Sequence, residues 1–202
     1  YAAYKYLNNL DECTHLCCWA HVRRVYVAAF CDYKDLKAEA FIELIKLLYK
    51  VEFDSMMPHR TEQEVVNARK LMAIPVLNEL RQKAEKLLSD SDAKTEKISD
   101  KLHHALKYML NNWIELIGYV NVGNVFIDNN CCERAVRPFT NLRKSFGGFS
   151  SEEGGRVSAI YLSLVETCKL LKKPPLDFFR RYFSMIAGGR RDYELMTQEL
   201  LC

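Results

Sequence analysis

Ile127-Asp128-Asn129-Asn130-Cys131-Cys132-Glu133-Arg134-Ala135-Val136-Arg137-Pro138 is the stretch on which the fold turns. Val125-Phe126-Ile127 leads into it as a short apolar run of strand type, and Asp-Asn-Asn is turn chemistry. A helix is expected to start there. Two physical readings of that helix start stand side by side. In one, Asn130 and Glu133 have the spacing of a capping box, and Glu133 and Arg137 form an i,i+4 ion pair. In the other, a carboxylate flanked by guanidinium groups just past a strand holds a divalent cation beside a bound phosphate.

Outward from this segment the pattern is mostly helical. Residues 3–9 read as a short helix and 12–18 as a short strand, before a helix over 19–30 that opens with His21, Arg23 and Arg24. The wide apolar stripe of Leu36, Ala40, Ile42, Leu44, Ile45, Leu47, Leu48 and Val51 predicts a helix over 35–52. Pro58 opens a break, residues 60–90 read as helical, and Pro75 is expected to break or kink them near Ile74. Ser89-Asp90-Ser91-Asp92 punctuates the chain before a helix over 97–119. Beyond the motif, 141–150 reads as a basic, glycine-containing loop, suited to a phosphate or to solvent. Helices are then expected over 157–171, 176–183 and 190–202, the last a marginal tail. Trp19, Trp113 and Tyr161 read as core residues rather than base-stacking platforms.

Composition sets the class. A 202-residue chain with 49% hydrophobic and 27% charged residues can bury a real core. Its net charge of +3 does not announce a nucleic-acid binder, so any such role needs locally clustered cations. Of eight cysteines, four sit in the adjacent pairs Cys17-Cys18 and Cys131-Cys132, which suits buried reduced thiols of a cytosolic protein better than a disulfide framework. Cys18 and His21 have a C-x-x-H spacing open to zinc, but no second pair at ligand spacing accompanies them. No leader or membrane-spanning run is evident. The chain opens on Tyr1 rather than methionine, and a piece of a longer protein is the expectation.

In order along the chain stand Tyr1-Ala2-Ala3-Tyr4, Cys18-Trp19-Ala20-His21-Val22-Arg23-Arg24, a helical block, Asp128-Asn129-Asn130-x-x-Glu133-Arg134-x-x-Arg137-Pro138, Arg143-Lys144, and Ala159-Ile160-Tyr161 with Glu166-Thr167 and Lys169. This series resembles the C-terminal half of transposases of the insertion sequence 66 family, over roughly 1–185. The resemblance implies a mainly α chain with a few short strands, the C-terminal part of an RNase H-like α/β fold. Residues 1–34 and 118–185 would belong to that catalytic core, 35–117 to a helical insertion, and 186–202 to a helical tail.

For function, the resemblance implies a DDE enzyme performing Mg²⁺-dependent strand cleavage and transfer, with Glu133 as its catalytic, metal-binding glutamate. The family's two aspartates would precede Tyr1, and Asp11 and Asp32 do not match them. Two Mg²⁺ ions held by three carboxylates would activate a water or 3′-hydroxyl and stabilise the leaving oxygen. Glu133 alone cannot hold both, so the chain is expected to be inactive by itself. His21 would approach the scissile phosphate or cap its helix. Asn129, Arg134 and Arg137 would support Glu133 or touch DNA, and Arg23, Arg24, Arg143 and Lys144 would contact phosphates with salt-dependent affinity. The implied partners are transposon-end and target DNA and further copies of the transposase, in a bacterial cytoplasm at the nucleoid. The rival expectation is a non-catalytic helical DNA-binding or assembly module derived from a transposase.

Overall fold

The first helix, α1 (Trp19–Cys31), buries Trp19, Val22, Tyr26 and Ala29, a three-and-four spacing that lines one face of a helix. The computed structural model to which it belongs describes residues 13–56, 60–145 and 147–202. Further helices follow as α2 (Lys37–Ser55), α3 (Glu62–Asp92), α4 (Asp100–Asn111) and the short α5 (Trp113–Ile117), the last running into a 3₁₀ turn at Gly118–Asn121. Then come α6 (Asn130–Ser145), α7 (Glu152–Leu170), α8 (Pro175–Ala187) and α9 (Tyr193–Leu201). The chain divides into two compact units, Tyr1–Asn130 and Cys131–Cys202.

In the first unit α1 packs on α2 and α4, and α3 packs on the same two helices, so four helices close around one core. Ile45, Leu48, Leu77, Leu80, Leu102, Leu106 and Met109 are fully buried there. Each such side chain contributes about 1.5–3 kcal/mol of gross burial energy before chain entropy is charged against it. Trp19 and Trp113 meet edge to face at 6.3 Å in this core. Both are core residues, as expected.

Among the described residues no strand forms, which corrects the two short strands expected at 12–18 and 125–127. The described part of the first run has no regular structure and ends in an extended Cys18, and its backbone makes single bonds rather than a ladder. Cys17 N–H donates to the Glu115 carbonyl at 3.0 Å, and Trp19 N–H to the Ile127 carbonyl at 3.2 Å. In the second run the Val125 carbonyl and Ile127 N–H are taken by the side chains of Arg69 and Glu52, and the Ile127 carbonyl by Trp19 N–H, so none is left to a neighbouring strand. The expected helix over 3–9 and the break at Pro58 lie outside the described residues.

Other boundaries move for local reasons. α3 starts at a capping box: Thr61 Oγ1 accepts from Glu64 N–H, and Thr61 N–H donates to Glu64 Oε2 at 2.8 Å. Replacing Thr61 with alanine is expected to cost about 1 kcal/mol in urea denaturation, with an unchanged slope. Pro75 does not break this helix. It lies on the exposed side next to Leu71, whose carbonyl loses its helical donor where water can replace it, while Ala73, Val76 and Leu77 hold the other face in the core. The helix expected over 97–119 is instead interrupted at Asn112, whose side-chain amide donates to the Tyr108 carbonyl at 2.6 Å. Gly154 and Gly155 fall inside α7 rather than before it, because Ser151 Oγ accepts from Gly154 N–H at 3.1 Å and caps the helix earlier.

The second unit has a small core of Cys168, Phe178 and Leu200, with Leu164, Phe179 and Tyr182 packed against it. Tyr161 is 45% exposed, which corrects its assignment to the core. Arg143 and Lys144, expected in a loop, lie in the last turn of α6, since the helix runs on to Ser145 before Gly147 and Gly148 turn the chain at positive φ.

Candidate functional site

A buried ion pair builds the floor of the site in the first unit. Arg69 of α3 is fully buried and Glu52 of α2 is 6% exposed. The pair is bidentate: Nε and Nη2 of Arg69 donate to Glu52 Oε2 and Oε1 at 2.9 and 2.7 Å. The rest of the guanidinium donates to the carbonyls of Tyr119, Val122 and Val125 at 2.9, 2.6 and 2.6 Å. Glu52 Oε1 also accepts Ile127 N–H at 3.2 Å. Two helices thereby fix the irregular segment 119–127 without any sheet. Ile127 then turns inward, at 3% exposure.

Asp128 emerges from this anchor with both carboxylate oxygens occupied. Oδ1 accepts Asn130 N–H at 3.0 Å. Oδ2 accepts the Asn130 side-chain amide at 2.7 Å and the Tyr49 hydroxyl at 2.9 Å. The first of these is an Asx turn, and it sets the backbone direction at the start of α6. Burial, with Asp128 beside it, pushes the Tyr49 phenol far above its ordinary range, so Tyr49 stays a donor.

The two motifs singled out in the sequence meet here, more than a hundred residues apart in the chain. Asn129 N–H donates to Cys18 Sγ at 3.3 Å, beside the Trp19 N–H bond to Ile127. The Trp19 indole donates to the Leu116 carbonyl at 2.9 Å and fixes the start of α1. Cys18 and His21 lie within 4.8 Å of one another, a thiol and an imidazole that make up half of a tetrahedral zinc set.

Beside the turn opens a cleft of about 500 Å³ lined by Ala20, Arg23, Arg24 and Val27 of α1, Lys46 and Tyr49 of α2, and Asp128 and Asn130. Arg23 and Arg24 are exposed within it, while Asn129 is exposed and His21 half-buried in the first turn of α1. The remaining expected residues lie on α6: Glu133 half-buried in its first turn, Arg134, Arg137 and Lys144 exposed, and Arg143 in the helix backbone. At about 100° per residue, Glu133, Arg137 and Lys144 share a sector of about 40°. Glu133 is also the acidic residue of that first turn, where the helix dipole favours a negative charge. Lys46 and Tyr49 escaped the sequence reading, which had Asp128 as part of the turn but not as a lining residue of the cleft. The Asp-x-Asn spacing of Asp128 and Asn130 was the one local signal available for the turn.

The family model for the Transposase IS66 family matches residues 1–157, which includes both motifs and the whole of α6. The chain belongs to the IS66 transposase family. Among the curated relatives of this IS66 member is the uncharacterized protein y4jD of Sinorhizobium fredii (strain NBRC 101917 / NGR234). It is 25% identical over 195 residues, covering 94% of this chain and 37% of that protein. Another, the uncharacterized protein y4qI of the same strain, is 30% identical over 172 residues, covering 85% of this chain and 31% of that protein. The chain thus spans about a third of the length of these relatives. No solved structure matches it. Among the described residues, no helix is long and apolar enough to cross a membrane.

Proposed function

We propose that this IS66-family chain is the C-terminal portion of an RNase H-like DDE transposase domain, with Glu133 as the third carboxylate of its catalytic site. Residues 1–34 and 118–185 belong, on this reading, to the catalytic core, and the helical block between them is an insertion. The observation that carries the reading is the meeting of the two family motifs: Asn129 N–H on Cys18 Sγ and Trp19 N–H on the Ile127 carbonyl. Segments of the chain that have no local reason to be neighbours are held together immediately before the helix that bears Glu133.

The donor set fits magnesium in part. A carboxylate is a hard oxygen ligand of the kind Mg²⁺ takes, and Glu133 supplies one. Asp128 does not supply a second, since its two oxygens already accept three hydrogen bonds from Tyr49 and Asn130. The remaining carboxylates must come from elsewhere in the longer protein. Magnesium, when bound, supplies activation of an oxygen nucleophile and neutralisation of charge on the phosphoryl group. The chain's own contribution is positional. The Arg69–Glu52 pair fixes the segment before α6, Asp128 sets the turn, and Arg134, Arg137 and Lys144 offer cations to DNA phosphates.

The complete protein is expected to cut DNA at its own transposon ends in Mg²⁺, and the purified 202-residue chain to leave the same DNA intact. Cleavage by the chain alone would overturn the assignment of the missing carboxylates. Binding without cleavage by the complete protein would favour the non-catalytic DNA-binding or assembly module.

A further inference from the structure

The geometry points to the cleft between α1 and α2 as a seat for the phosphodiester backbone of a DNA strand, with Lys46 of the helical block as one of its cationic contacts beside Arg23 and Arg24. The inference rests on the transposase reading and extends the DNA contact to a helix that motif matching leaves outside the site.

Three cations line the cleft against one carboxylate. That carboxylate, Asp128, faces inward to its own donors, the Tyr49 hydroxyl and the two Asn130 N–H groups, so much of its charge is already compensated. Arg23 and Arg24 have no hydrogen-bond or ion-pair partner among the described residues, although both are planar donors made for phosphate oxygens. Lys46 pairs with Glu43 at 2.9 Å, but both side chains are more than half exposed, and solvent already screens that pair. Lys46 and Tyr49 are three residues apart and share a face of α2. The Tyr49–Asp128 bond ties that face to the turn before α6, so the cation on α2 is held at a fixed place beside those on α1.

The opening suits a strand rather than a lone anion. At about 500 Å³ it is far larger than one phosphate group, and its lining alternates cations with the apolar Ala20 and Val27. Cations spaced around an open cleft match a ligand with repeated charges, and such binding releases counterions in proportion to the contacts made.

The test is a fluorescence anisotropy titration of the 202-residue chain with a labelled duplex of about 20 base pairs, at about 50 to 200 mM salt. Lys46→Gln is expected to weaken binding several-fold and to reduce the slope of log K against log salt by about 1, with Lys46→Arg restoring it. Arg23→Gln with Arg24→Gln should reduce the slope by about 2, and Lys83→Gln on α3 should leave it unchanged. Circular dichroism should be the same for all, because every substituted side chain is exposed. An unchanged slope for Lys46→Gln, or loss of binding equal to that of Lys83→Gln, overturns the inference. So does displacement of the duplex by inorganic phosphate at matched ionic strength, which would make the cleft a free-phosphate site. Cleavage of transposon-end DNA by the complete protein, measured in parallel, reports on the transposase reading separately. A protein that cuts DNA yet ignores Lys46→Gln keeps the reading and loses the cleft.

Discussion

Arg69→Ala is expected to destabilise the first unit by about 3–5 kcal/mol, the cost of breaking a buried pair from one side. Glu52 would be left as a buried carboxylate without its cation, and the carbonyls of Tyr119, Val122 and Val125 would lose their donor together. Leaving buried polar groups unsatisfied costs more than the net worth of the hydrogen bonds themselves. Nearby water cannot readily take over, because Arg69 is fully buried. The double variant Arg69→Met with Glu52→Leu removes both charges and is expected to lose less than the sum of the single variants. It does not recover the parent stability, since the three carbonyls and Ile127 N–H still lack partners. Urea denaturation followed by tryptophan fluorescence reads this unit specifically, as both tryptophans of the chain, Trp19 and Trp113, lie in its core. A loss below about 1 kcal/mol for Arg69→Ala would show the network to be dispensable.

That network also explains where the sequence was legible and where it was not. The positions of α1, α2 and α4 were legible from spacing, but the break at Asn112 was not, and the face that α1 buries is Trp19, Val22, Tyr26 and Ala29. The run Val125-Phe126-Ile127 has the local chemistry of a strand and is not one. Its hydrogen bonds go to Arg69, Glu52 and Trp19, each more than fifty residues away, and no window around 125 contains that information. Pro75 misleads for the opposite reason, because local chemistry demands a break and packing on the buried face overrides it. The Asp-Asn-Asn and Cys-Trp-Ala-His motifs were visible as motifs. That Asn129 N–H reaches Cys18 Sγ is a tertiary fact. Lys46 was unreadable as a site residue, since a lysine on the polar side of an amphipathic helix is by default a solvated one.

On the proposed reading, Glu133→Gln in the complete protein is expected to reduce DNA cleavage at least about a thousandfold, because losing a metal-ligating carboxylate would forfeit several kcal/mol of transition-state stabilisation and about 4 kcal/mol is a factor of 10³. The substitution keeps the size and shape of the side chain and removes its charge. Its effect on folding is confined to the loss of an acidic group from the first turn of α6, about 0.3–1 kcal/mol of helix-dipole stabilisation. Stability and cleavage therefore separate: a small shift in the urea midpoint beside a near-complete loss of product. DNA affinity should hold or rise slightly, since a negative charge among the cations Arg134, Arg137 and Lys144 has been removed. Arg137→Ala makes the contrasting case. It removes the proposed phosphate contact and leaves the carboxylate in place, so binding should weaken with a shallower salt slope while saturating DNA restores most of the rate. If Glu133→Gln instead cleaves within about tenfold of the parent, the glutamate is only the favourable charge at a helix start. The capped-helix reading of Asn130–Arg137 would then account for the whole motif, and the catalytic glutamate would have to be sought elsewhere.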